Sequence, residues 1–507
     1  MGSFGRRRWL WTAAAAGALL SAAFATLSLT DTFGRWARNR VVQLLKQHYG
    51  ADLQFKSLHV RLFPEARMEA TDLTFRQPGA PDAPPLIRIA RLSASSTLLE
   101  ALRTPPHIRE VRFDGLRIQV SRRVENGGSE KQEAGKPPDF IIDSVVADGT
   151  KLTVIPRKPG KPPLEFDIRR LRLAGAGPSD PMSFRATLRN AKPPGDIQTT
   201  GKFGPWNRDD PGKTAVSGQY SFRDADLSVF RGIAGTLASD GEYRGALDHI
   251  EVDGNTDIPK FTVAISGHPV HLTSQFHAVV DGTDGDTYLQ PVDARFNASR
   301  ILAKGSVEGM EGIKGKTVSL DVDSTGRLED LLLLGAKGPP PMSGAIRFHT
   351  KLVVPPGDLD IARKLQLQGG FHIDGASFSK LNLQQRINDL SHRGEGKPKE
   401  PRTDTVVADF DGQFALDDGR IRFRRISFSV PGVAVKLRGT YGLLDRRLNF
   451  HGTAELAANL SETTTGIKSI LLKAVDPFFH QKHAGAAIPF QITGTRDHPD
   501  FGLDLIR

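Results

Sequence analysis

Few residues in this chain are of the types and spacings that do chemistry. Gly315-Lys316-Thr317 matches the end of a phosphate-binding P-loop. That loop needs a glycine at position 310, where Met310 stands, and a helix after it. The run Val318–Val322 reads as a strand, so the tripeptide reads as a turn. His268, His271 and His277 lie close together. On a strand, residues three apart point to opposite faces, so His268 and His271 do not converge on one metal and read as surface histidines. Asp281, Asp284 and Asp286 in V-D-G-T-D-G-D-T offer oxygen ligands for Ca²⁺. Their spacing departs from the EF-hand loop and no Glu closes it, which leaves calcium the lesser reading and a hairpin turn the better one. Asn297-Ala298-Ser299 and Asn459-Leu460-Ser461 are glycosylation sequons by pattern alone. Neither a G-x-S-x-G elbow nor an H-E-x-x-H pair occurs. With no Cys there is no thiol nucleophile, no disulfide and no thiolate metal site. The chain reads as a non-enzyme with no catalytic residues, metal or cofactor.

The elements that remain organise the chain from its start. Arg6, Arg7 and Arg8 precede Trp9–Leu29, an uncharged run whose length at the helical rise is roughly 31 Å, enough to cross a hydrocarbon core. The competing reading is a cleaved signal peptide with Ala23-Phe24-Ala25 as its processing site, although the apolar run exceeds the usual signal core. Arg35, Arg38, Arg40 and Lys46 after the span nearly balance the arginines before it. The very short leading tail favours a cytoplasmic N-terminus and an exported bulk. An amphipathic stretch with Trp36, Ala37, Val41, Leu44 and Leu45 then stops at Gly50.

From Leu53 onward, period-2 alternation recurs: Leu58/Val60/Leu62, Leu116/Ile118/Val120, Phe261/Val263/Ile265, Val318/Leu320/Val322, Ile426/Phe428/Val430, Val433/Val435/Leu437 and Ile488/Phe490/Ile492. Asp-Gly steps at 114–115, 148–149, 253–254, 281–282, 374–375, 411–412 and 418–419 read as turns between them, the mark of an antiparallel meander. Helical signals are short: Leu227–Ile233 behind an Asp226 cap, Leu328–Leu334, Phe378–Leu390, and Glu462–Phe479. In the last, Ile467, Ile470, Leu471, Ala474, Val475 and Phe478 share one face. It reads either as a core helix closing the last strands or as an amphipathic plug that gates a groove or touches a membrane. Loops rich in Pro, Gly and charge fall at 126–138, 156–163, 205–213, 335–341 and 392–402.

The net charge is +11, from 68 basic and 57 acidic residues. Arg and Lys alternate with apolar residues, as in R-L-R-L at 170–173 and R-I-R-F-R-R at 420–425, which reads as solvated strand faces with a mild attraction to anionic lipid head groups. A nucleic-acid binder would gather its charge in one patch, so nucleic acid is not an expected partner.

About 20 strand candidates each offer two or three apolar side chains to one face, and a Val, Ile or Phe left wet forfeits roughly 1.5–3 kcal/mol. Too few helices exist to cover them. The face either closes on itself as a sandwich or barrel, or bends into a trough filled by something apolar that is not protein. Beside a membrane anchor the available filler is acyl chain. Phe261, Val263, Ile265, Phe423, Phe428 and Phe450 are the candidate groove residues.

Three blocks of sequence carry a family resemblance. The first is R-N-R-V-V-Q-L-L-K-Q-H-Y-G-A-D-L-Q-F, with L-H-V-R-L-F-P, M-E-A-T-D-L-T-F and I-R-E-V-R-F-D-G-L-R-I-Q-V behind it. This region resembles the N-terminal part of the AsmA family: anchor, short helix ending in Gly, strand, the Phe63-Pro64 step and an Asp114-Gly115 hairpin. G-E-Y-R-G-A-L-D-H-I-E-V-D-G and V-D-G-T-D-G-D-T resemble AsmA-like repeats. F-D-G-Q-F-A-L-D-D-G-R-I, V-K-L-R-G-T-Y and I-P-F-Q-I-T-G-T-R-D-H-P-D-F are similar to the AsmA and TamB C-terminal region. The order of these low-information motifs carries the resemblance.

The resemblance implies a mainly β fold, a long curled antiparallel sheet with a taco-like groove, one N-terminal transmembrane helix and a few short helices. Residues 1–30 form tail and anchor, 31–210 the N-terminal region, 211–400 the middle region, and 401–507 the C-terminal region with its amphipathic helix at 462–479. It implies a single-pass protein of the bacterial inner membrane, held by residues 9–29, with its bulk in the periplasm. Its partners would be phospholipid and the outer membrane or its proteins, and its role would be conveying lipid for outer-membrane biogenesis. The alternatives are a structural or regulatory envelope protein with a dry core, which influences outer-membrane protein assembly, and a secreted β-rich binder released after Ala25.

Overall fold

The structure, a computed structural model, describes residues 52–61, 65–76, 87–101, 107–120, 141–156, 163–176, 180–205, 210–378, 408–456 and 487–504, and the single residues 85, 161 and 207. The sequence-predicted anchor at 9–29, the stretch ending at Gly50, most of 378–390 and the helix at 462–479 lie outside them. Among the described residues no helix is long and apolar enough to cross a membrane.

Within the described residues the chain is mainly β-strand, as alternation implies. It runs β1 (Asp52–Gln54), β2 (Ser57–Arg61), β3 (Ala66–Arg76), β4 (Ile87–Ser96), the short helix α1 (Leu98–Ala101), β5 (His107–Asp114), β6 (Arg117–Val120), β7 (Ile141–Val154), β8 (Leu164–Ala176), β9 (Met182–Ala191) and β10 (Pro194–Phe203). Then come β11 (Ala215–Asp226), β12 (Ile233–Ala234), β13 (Thr236–Ala246), β14 (His249–Val263), β15 (Pro269–Val280), β16 (Thr287–Phe296), β17 (Ser299–Gly309), β18 (Lys316–Arg327) and α2 (Leu328–Gly335). β19 (Met342–Val354), α3 (Ile361–Lys364), β20 (Gln366–Phe378), β21 (Ala408–Asp417), β22 (Arg420–Val430), β23 (Val433–Gly442), β24 (Leu448–Leu456), β25 (Ala487–Gly494) and β26 (Pro499–Leu503) complete it. The chain divides into two units. One comprises Met1–Arg223, Asp240–Glu251 and Val280–Gly285; the other comprises Asp224–Ser239, Val252–Val279 and Asp286–Arg507.

Two of the helical expectations fall on described residues: the one at 328–334 is met, and the one at 227–233 only in reduced form. Asp226 does cap, its carboxylate accepting from Ser228 N at 2.8 Å. However, the turn it starts is a single 3-10 turn, Leu227–Val229. Gly232 at φ +97° redirects the chain into β12 instead of continuing a helix to Ile233. The apolar run at 328–334 becomes α2. Phe378 is the last residue of β20, not the start of a helix.

The Asp-Gly steps divide into three kinds. Asp418-Gly419 makes a two-residue hairpin with φ of +45° and +68°, the signs a type I′ turn requires, and Asp281-Gly282 opens a turn. Asp253-Gly254 and Asp411-Gly412 lie inside β14 and β21. At 114–115, 148–149 and 374–375 the glycine takes positive φ within a strand line. The Asp114-Gly115 hairpin is therefore absent: β5 and β6 both pair antiparallel with β4 and parallel with β7, in one unbroken register. A parallel partner needs a long connection, and β6 ends at Val120 while β7 begins at Ile141.

Those irregular positions line up across the first unit. Lys56, Asp72, Ala90, Gly115 and Gly149 fall on one transverse line of the registered strands, with Asp72, Gly115 and Gly149 all left-handed. A left-handed residue inside a strand breaks the two-residue alternation. Accordingly Ala70 and Leu73, and Phe113 and Leu116, sit three apart yet join one apolar cluster; Leu58, Ile89 and Leu92 lie beside them in register, and Phe55 packs against the same cluster. The result is a crease: paired apolar residues on one side and paired polar ones on the other. The polar side opens a dent of about 500 Å³ lined by Lys56, Ser57, Thr71, Asp72, Ala90, Arg91 and Asp114.

Candidate functional site

The second unit holds the larger apolar cluster, built from Leu328, Ile346, Ile373, Ala376, Ala408, Phe410, Val430, Val433, Val435 and Ala454. Alternation explains it strand by strand, and register extends it sideways. Ile346, Ile373, Phe410, Phe428, Val435, Ala454 and Ile488 are consecutive cross-strand partners from β19 to β25. A second row runs Phe348, Phe371, Gly412, Ile426, Leu437, Gly452, Phe490. A third runs Thr350, Gly369, Phe414, Phe423, Gly439, Phe450, Ile492. No charged residue interrupts any of them. At ~4.8 Å per strand each row is roughly 30 Å long.

Glycine and phenylalanine are complementary on this face. Phe371 lies against Gly412, Phe450 against Gly439 and Phe490 against Gly452, so close that a Cβ on the glycine would strike the ring. The rings therefore lie along the sheet instead of standing off it, shielding glycine backbone that has no side chain of its own. Ring contacts link Phe414 to Phe371 at 6.3 Å, Phe371 to Phe423 at 6.3 Å and Phe423 to Phe450 at 5.7 Å; Phe410 stacks on Phe428 at 4.6 Å. Phe348, Phe371, Phe414, Phe423, Phe428 and Phe490 remain only half-buried.

Helix α2 closes part of this face with Leu328, Leu331 and Leu332. Its placement depends on Asp330, a carboxylate 6 % exposed. Asp330 accepts from Asn297 Nδ2 at 3.2 Å, Ala298 N at 3.1 Å and Ser299 Oγ at 2.9 Å, tying the helix to the turn after β16. Buried charge needs such partners.

The opposite side of the same strands is polar and largely ion-paired. His349 bonds Asp323 at 2.9 Å, Arg347 bonds Asp374 at 3.1 Å, and His372 sits between Asp411 at 2.8 Å and Asp374 at 2.7 Å. The Asp411 hydrogen bond, then that of Asp374, raises the His372 pKa above its ordinary value.

The predicted groove residues separate into groups. Phe423, Phe428 and Phe450 meet on the apolar face. Phe261 and Val263 lie at the end of β14, with Val263 paired to Ile233 of β12, and Ile265 stands in the turn beyond the strand. Ile467, Leu471, Val475 and Phe478 lie outside the described residues. Sequence reading missed Phe371, Phe410, Phe414 and the glycines beneath the rings. The F-D-G-Q-F spacing at 410–414, a glycine between two inward phenylalanines, was the available signal.

The weighed motifs have structural partners. Gly315 takes φ +108° and strand β18 follows it. His268 contacts Gly338 O, His271 bonds Asp257 at 2.6 Å and His277 bonds Asp253 at 2.8 Å. Asp281 accepts from Thr283 N and Oγ1 and from Asp284 N, and Asp286 accepts from Gly309 N. Among the described residues no three His, Asp or Glu side chains group to hold a metal. No family model, no curated protein and no solved structure matches the chain.

Proposed function

We propose that this is a membrane-anchored periplasmic protein that binds phospholipid acyl chains along the apolar rows of β19–β25 and conveys them for envelope biogenesis. In this reading the sheet curls into a groove like that of the AsmA-type carriers, and residues 9–29 cross the inner membrane. The reading is carried by one observation: the phenyl rings of Phe371, Phe423 and Phe428 keep partial exposure on a face whose rows contain no charge. Covering such rings is worth roughly 1.5–3 kcal/mol each when fully achieved. Rows perpendicular to the strands give an extended hydrocarbon chain an uninterrupted path. No chemical step is involved; partition out of water drives binding.

A dry-core envelope protein acting through protein partners is the second reading. It is favoured by the near-complete burial of Ala376 at 1 % and Val435 at 2 % exposure.

Photo-crosslinking separates the two. Benzoylphenylalanine is placed at Phe423 or Phe428 in the full chain, with the exposed Thr325 of β18, on the opposite side and outside the arginine cluster of β22 and β23, as control. Lipid adducts at the phenylalanine positions alone support carriage. Adducts exclusively to protein at those positions overturn it in favour of the dry core.

A further inference from the structure

Strand β22 carries R-I-R-F-R-R at 420–425. Phe423 pairs with Gly439 and Ile426 with Leu437, so Arg424 and Arg425 together oppose the single residue Arg438. A bulge of this kind sends both extra side chains away from the face that holds Phe423 and Ile426. Arg422, on the other side of Phe423, faces the same way. All four arginines are exposed. Like charges set directly opposite each other destabilise a strand pair, so the arrangement costs stability until a counter-charge relieves it.

The described residues supply no such counter-charge. Neighbouring cations are paired: Arg420 with Asp445 at 3.8 Å, Lys436 with Glu455 at 3.2 Å, Arg446 with Asp497 at 3.0 Å and Arg347 with Asp374 at 3.1 Å. Among the described residues Arg422, Arg424, Arg425 and Arg438 have no carboxylate at ion-pair distance. The nearby acids are committed elsewhere, Asp411 to His372 and Asp409 to Gly375 N. The residue opposite Arg425 on β21 is the neutral Gln413.

We propose that Arg422, Arg424, Arg425 and Arg438 form a docking surface for an anionic phospholipid bilayer. Guanidinium groups grip phosphate oxygens in pairs, and headgroup phosphates supply the counter-charge that the described residues omit. The polar side of β22 and β23 offers no aromatic side chain on which a base would stack. Four cations also fall short of the ~6–10 phosphate contacts common in duplex binding. This docking uses the side opposite the phenyl rings and does not depend on what those rings bind.

The test holds the full chain on a sensor surface through a C-terminal tag, in a non-ionic amphipol. It is then exposed to vesicles of phosphatidylcholine, or of phosphatidylcholine with about one-third phosphatidylglycerol. Wild type should capture the anionic vesicles selectively, and added salt should release them. At about a tenfold loss for every one to two arginines near an anionic surface, R424Q/R425Q/R438Q should bind roughly 100-fold more weakly. R446Q, a paired cation outside the patch, should bind as wild type does. Equal capture of neutral and anionic vesicles by wild type overturns the proposal. So does undiminished capture by a triple variant whose thermal unfolding matches wild type. Tighter binding to a DNA duplex than to vesicles at the same salt would reassign the patch to nucleic acid. Vesicle capture without lipid adducts at Phe423 would leave this docking intact while removing acyl-chain carriage.

Discussion

The ring of Phe371 lies across the backbone of Gly412, its cross-strand partner, and a Cβ on Gly412 would strike Phe371 Cζ and Cε1 before any other atom. Gly412→Ala therefore does more than add a methyl group: it must lift the ring or part β20 from β21. Overpacking of this kind costs about 1–3 kcal/mol. A lowered thermal midpoint is expected for Gly412→Ala and a partial recovery for the double variant Gly412→Ala with Phe371→Leu. Additive losses in a double-mutant cycle would show that the ring and the glycine are not coupled.

The crease in the first unit rests on left-handed residues. Gly149 has φ +65° with open space around the site of a Cβ, so conformation and not crowding sets the cost of replacing it. Gly149→Val should destabilise by about 1–2 kcal/mol, while Gly149→Asn, which tolerates that region, should cost distinctly less. Chemical denaturation of the two variants decides it, and equal losses would mean that the left-handed turn is not what the position needs.

Thr150, beside that glycine, is 1 % exposed and its hydroxyl has no hydrogen-bond partner. A buried hydroxyl without a partner forfeits its hydration for nothing. Thr150→Val keeps the shape and removes the polar atom, so it should stabilise by about 1 kcal/mol. A loss of stability on denaturant titration would contradict this.

Asp330 ties α2 to the turn after β16 through three hydrogen bonds. Asp330→Ala strands Ala298 N and Ser299 Oγ and should cost about 3 kcal/mol, concentrated locally. Hydrogen exchange should quicken across Leu328–Gly335 before it quickens in β22 or β23. Uniform acceleration along the chain would show that the carboxylate supports the whole unit and not the helix alone.

His372 binds its proton more tightly in the fold than in the unfolded chain, through Asp411 first and Asp374 second. Because the folded pKa lies above the unfolded value near 6.5, its stabilising effect is fully present below about pH 6.5. It is lost as pH rises through the folded pKa. Thermal midpoints of wild type should fall over that interval more than those of His372→Gln. Parallel curves for the two proteins would remove His372 as the source.

Much of this was legible beforehand. Alternation at Phe423, Phe428 and Phe450 identified one face of each strand, because a two-residue period is a property of the strand alone. Leu328–Leu334 identified a helix for the same local reason. The Asp-Gly steps misled because the pair only permits positive φ; whether the chain turns back, kinks or runs straight depends on what lies beside it. At Asp418-Gly419 the flanking strands pair with each other, and at Asp114-Gly115 both flanks pair with β4 and β7.

The amino-acid order by itself determined a β-rich chain with one apolar face per strand, since side-chain direction follows from backbone period. Only the tertiary structure decided which residues share a row: Phe450 over Gly439, Arg424 and Arg425 against Arg438, Asp72 in line with Gly115 and Gly149. Register couples residues far apart in the chain, and a single bulge shifts it by one. That coupling is a property of paired strands, and no single strand encodes it.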